Sequence, residues 1–151
     1  MGKIDMTFDP LQLAEGEIPT KQYISRQLRF VEYFILSYVM DIMHYDFVPV
    51  FLCENLDEDC AQAALDDYLE AIDLARQTAW NNYQHLIGEH EDLREEVDAV
   101  TSSATDDELL ELLEKVRDLR DRMMDTRNWW ATSTVNMANN YLEAMEDCCN
   151  D

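Results

Sequence analysis

The sequence predicts an all-α protein. The expected form is an elongated bundle built on a long antiparallel helical hairpin, about 57–100 and 105–147, with a shorter apolar helix, about 20–45, packed on its base. Three observations carry this. Apolar residues recur at steps of three and four over two stretches of some 40 residues each, which is the period of one helix face. Only three Gly and three Pro occur in 151 residues, too few for a turn-rich sandwich or barrel. At 47% hydrophobic residues the chain is too apolar to be an acidic disordered tail, and its length suits a single core, so residues 1–151 read as one domain.

Residues 1–19 hold Pro10, Gly16 and Pro19 and show no helical period, so they read as a non-helical arm. Ile4, Met6 and Phe8 alternate there as in a short strand. Thr20 can cap the first helix, in which Tyr23, Ile24, Leu28, Val31, Phe34, Ile35, Tyr38, Val39 and Ile42 form one face. Leu36, Met40 and Met43 widen that face until the second half is apolar nearly all round. Such a helix must be covered on most sides, either by its own chain or in a homodimer through 23–43. An extended connector with Pro49 follows, then a second helix whose seam runs from Leu65 through Leu86 to Val100, with Gly88 as its weak point. Thr101 to Thr105 breaks the pattern, and Thr105 with Glu108 makes a capping box for the third helix. Its seam runs from Leu109 to Tyr141. Two such helices joined by five residues must fold back on each other.

A turn near Ser103 places Trp80 near Thr126 and Trp130, and Tyr83 near Met123, a cluster expected to be core. It also brings Cys60 towards Cys148 and Cys149, with Cys53 close by. Their spacing matches no usual zinc motif, and no secretion signal precedes them. They are expected to be reduced, partly buried thiols in a cytoplasmic protein. The apolar run Phe30 to Met43 is shorter than a membrane span, so no membrane association is expected. The three histidines are scattered, and no cofactor or metal is expected.

Charge is the strongest functional signal. The chain has 33 Asp and Glu against 11 Lys and Arg, a formal charge of -22. This excludes direct binding of nucleic acid or anionic membrane, which needs excess Lys and Arg. The third helix carries Glu111, Glu114, Asp118, Asp121 and Asp125 at alternating steps of three and four, about 200° from its seam. Glu54 to Asp73 contains eight acids, among them Asp66, Asp67, Glu70 and Asp73, and no base. The hairpin tip adds Glu91, Glu95 and Asp98 with few bases to offset them. Repulsion on this scale opposes folding, so stability does not account for it.

These twelve carboxylates are read as phosphate mimics that bind a basic nucleic-acid-binding protein such as a nuclease or a CRISPR or restriction component. The rod's charge spacing, about one per 4 Å, approaches that of a single nucleic-acid strand. In composition and shape the chain is similar to the small acidic helical inhibitors that phages use against restriction and CRISPR enzymes, and to acidic immunity proteins of nuclease toxins. That resemblance implies a non-enzymatic anti-CRISPR or anti-restriction type of inhibitor. A second reading starts from Asp66-Asp67-x-x-Glu70-x-x-Asp73 opposite Asn136, Asn139, Asn140 and Glu143, a set of groups suited to Mg2+ and phosphates. It resembles the acidic helical motifs of all-α nucleotide pyrophosphatases, which implies a Mg-dependent hydrolase. A third reading is an acidic helical adaptor or chaperone.

Overall fold

The structure, a computed structural model, describes residues 13, 14 and 16–150. Three helices make up the fold: α1 (Lys21–Met43), α2 (Glu58–Asp98) and α3 (Asp106–Asp147). All three pack on one another, most extensively α2 on α3. The strand-like alternation of Ile4, Met6 and Phe8, and most of the expected arm, lie outside the described residues.

Each helix begins at a side-chain cap. Thr20 accepts from the Tyr23 amide, Asp57 from the Cys60 amide and Thr105 from the Glu108 amide. The Glu108 carboxylate answers to the Thr105 amide and completes the capping box. At 1.5 Å per residue, α2 and α3 are each roughly 60 Å long. The pairs Leu56 with Cys149 and Tyr68 with Tyr141 follow the register expected for a turn near Ser103, and Glu89 with Arg122 departs from it by about one helical turn.

The position of α1 corrects one expectation. Its start lies at the hairpin tip, where Lys21 Nζ donates to the Asp98 and Val100 carbonyls at 3.1 and 3.0 Å. Further along, His90 meets the Leu28 carbonyl, Tyr38 Oη donates to Ala79, and Arg76 donates to Ile42 and Tyr45. The short helix therefore runs antiparallel to α2 over its distal half and does not pack on the base. The tip is accordingly no bare polar protrusion. Val97, Leu112, Leu113 and Val116 are buried there with Tyr23 and Ile24.

The base is closed by the connector. Tyr68, Ile72, Tyr141 and Met145 form a smaller core against Tyr45, Phe51 and Leu56. Two disulfides fasten this cover, Cys53–Cys149 and Cys60–Cys148. The expected proximity of the four cysteines holds, but the expected reduced state does not. The connector crosses back over the α2–α3 base and delivers Cys53 to Cys149, a path that no periodic pattern encodes. Disulfides belong to oxidising compartments, so the ground for a cytoplasmic location is removed. Among the described residues, no helix is long and apolar enough to cross a membrane.

Candidate acidic binding surface

The side of α2 opposite its core seam is acidic at both ends. Asp66, Glu70 and Asp73 lie on it near the base, and Glu91, Glu95 and Asp98 near the tip, all exposed. Asp67 is exposed on the flank of the same helix. This follows from the period: each of the six lies well away from Ile72, Ala79, Leu86, His90 and Val97, which face inward. Glu111, Glu114, Asp118, Asp121 and Asp125 are likewise exposed on α3, opposite buried Leu112, Val116, Leu119 and Met123.

The antiparallel register brings two of the three groups together. The α3 stripe lies at the level of α2 residues from about 84 to 98, so it shares the tip half with Glu91, Glu95 and Asp98, on the outer side of the neighbouring helix. The base group stands apart, roughly 35–40 Å along the axis from the tip group. Between them the outer side of α2 carries Gln77, Trp80, Asn81 and Gln84, with no charge. The facing part of α3, residues 126–142, holds one charged side chain, Arg127. The acidic surface is thus two blocks separated by a neutral waist.

Few of these carboxylates are neutralised. Asp73 lies 3.8 Å from Arg76, Asp118 3.2 Å from Arg122, and Asp121 3.3 Å from Arg120. Asp66 accepts a hydrogen bond from Gln62. Asp67, Glu70, Glu91, Glu95, Asp98, Glu111, Glu114 and Asp125 have no ion-pair partner within 4 Å among the described residues. Arg122 is itself turned to structural use: it bridges Glu89 on α2 and Asp118 on α3, and the Glu89 carboxylate pushes its pKa up. Arg76 is spent on the carbonyls of Ile42 and Tyr45, where it ties the connector to α2.

Among the described residues, no three of His, Cys, Asp and Glu are placed to hold a metal ion. The aromatic cluster divides. Trp130 is buried beside Tyr45, whereas Trp80, in contact with Tyr83, is 40% exposed and Trp129 is 37% exposed. The disulfides are the feature sequence reasoning missed, whereas the apolar outer side of α1 follows the widened stripe read there. Compared with protein families, curated proteins and solved structures, the chain matches none.

Proposed function

We propose that this chain is a non-enzymatic acidic inhibitor that occupies the basic nucleic-acid groove of a nuclease or of a restriction or CRISPR component. The observation that carries this reading is the pair of unneutralised carboxylate blocks on a rigid helical rod. Carboxylates held open to solvent, with too few bases nearby to pair them, raise the negative potential and steer a basic partner towards it. Because the helices fix them, no ordering of a flexible tail is needed on binding.

The spacing sharpens the target. Blocks centred on Glu70 and Glu95 lie roughly 35–40 Å apart, close to the ~34–36 Å of one duplex turn. A groove that grips duplex phosphates on one face, a turn apart, presents two basic patches at that distance. The neutral waist, with Trp80 and Gln84, then spans the gap between them. The disulfides favour a target met where thiols are oxidised, such as a secreted nuclease.

Lys substitution of Asp66, Glu70 and Asp73, or of Glu91, Glu95 and Asp98, is expected to weaken target binding at least about tenfold each while leaving helicity unchanged. Wild-type affinity is expected to fall steeply with added salt. Unchanged binding after both reversals would rule the mimicry out.

A further inference from the structure

The outer side of α1 is an extended apolar surface that carries little acidic charge. Tyr33, Leu36, Met40 and Met43 follow one another at steps of three, four and three, on the side turned away from α2 and α3. They expose 59%, 44%, 52% and 58% of their surface. Phe30 flanks them, also exposed. The helical period does not require these residues, because the inner side of α1 is already supplied from Tyr23 to Ile42. Five such side chains at about half exposure present on the order of 400–500 Å² of apolar surface. That equals the non-polar share of a standard interface of about 800 Å² per partner.

We propose that this face joins two copies of the chain in a two-fold dimer, with α1 packed antiparallel on α1 of the second copy. Charge selects this occupant. Two molecules of charge -22 repel wherever their hairpins meet, but α1 carries Lys21, Arg26 and Arg29 against Glu32 and Asp41. Those charges are also ordered along the helix. The bases lie in the N-terminal half, while Asp41, and Asp46 just beyond the helix end, lie at the other. A two-fold axis near Leu36 makes the face self-complementary, as an isologous contact must be. Leu36 meets its own copy, and Tyr33 and Met40 flank it. The acidic blocks on α2 and α3 stay outside the contact, so the inference stands whether or not they mimic nucleic acid.

Sedimentation at about 50 µM, well above a micromolar dissociation constant, and at about 0.15 M salt tests this on the full chain. The expected species has twice the 17.7 kDa chain mass. Leu36→Glu with Met40→Glu, both at exposed positions, is expected to yield a monomer of unchanged helicity by circular dichroism. A wild-type chain that sediments as a monomer would overturn the proposal, as would a dimer that survives the double Glu substitution.

Discussion

Tyr38 sits in the middle of α1 with its side chain almost wholly buried, and its hydroxyl donates to the Ala79 carbonyl at 3.3 Å. Burial pushes its pKa up to about 12, against a smaller lowering by the Asn82 side chain. Burial likewise raises Tyr68, whose hydroxyl donates to the Phe47 carbonyl at 2.6 Å. The protonated phenol is the uncharged form, so the folded chain holds these protons more tightly than the unfolded one. The Tyr38 contribution is complete below pH about 10 and is lost as pH rises through about 12, at up to about 1.4 kcal/mol per pH unit. Urea unfolding followed from neutral to alkaline pH should show that decline, and Tyr38→Phe should flatten it. Gly88 makes the opposite case. It lies inside α2 with nothing within 4 Å of the position a Cβ would take, so Gly88→Ala should raise stability by about 0.5–1 kcal/mol. His90, 2% exposed, uses Nε2–H to reach the Leu28 carbonyl at 3.0 Å and fixes the α1–α2 register. It shares the inward side of α2 with Leu86 and Val97, but that carbonyl lies in another element, which no spacing within α2 reveals.

At the scale of elements, the three helices were legible because their periods, caps and turn agree. Thr105 with Glu108 marks the start of α3, and the turn from Thr101 set a register good enough to bring the four cysteines together. The position of α1 was not legible. An amphipathic helix shows which side it buries, but not which half of a 60 Å hairpin receives that side. The connector decides the matter: residues 44–57 spend their length returning over the base, which leaves α1 on the distal half. The same connector is why the disulfides escaped notice, since pairing depends on an aperiodic path and on the redox environment. Cys53–Cys149 and Cys60–Cys148 span 96 and 88 residues and close nearly the same loop. Their combined stabilisation is therefore well below the sum of two independent bridges. Reduction should cost about 2–4 kcal/mol in urea unfolding and should loosen the base before the α1-covered half. Thiol titration of the unreduced, denatured protein should find no reactive cysteine. Four reactive thiols there would contradict the pairing.

The whole molecule combines a well-covered hairpin with a charge that opposes its own folding. The first 50 residues hold 7 acids and 4 bases, so nearly all of the -22 belongs to the hairpin and its flanks. The structure divides that charge into two blocks with a neutral waist, and it spends Arg76 and Arg122 on backbone and interhelical contacts. The acidic stripes themselves were legible, because residues placed opposite a clear seam must face solvent. Their division by axial level needed the register of the folded hairpin. The most direct measurement is affinity capture from the cells that make the protein, with the wild type and the Asp66, Glu70, Asp73, Glu91, Glu95 and Asp98 to Lys variant as paired baits. The account predicts that the wild type retains a basic nucleic-acid-binding protein, that duplex DNA or added salt releases it, and that the reversed bait does not hold it. Retention of the same protein by both baits, undisturbed by DNA and salt, would contradict it.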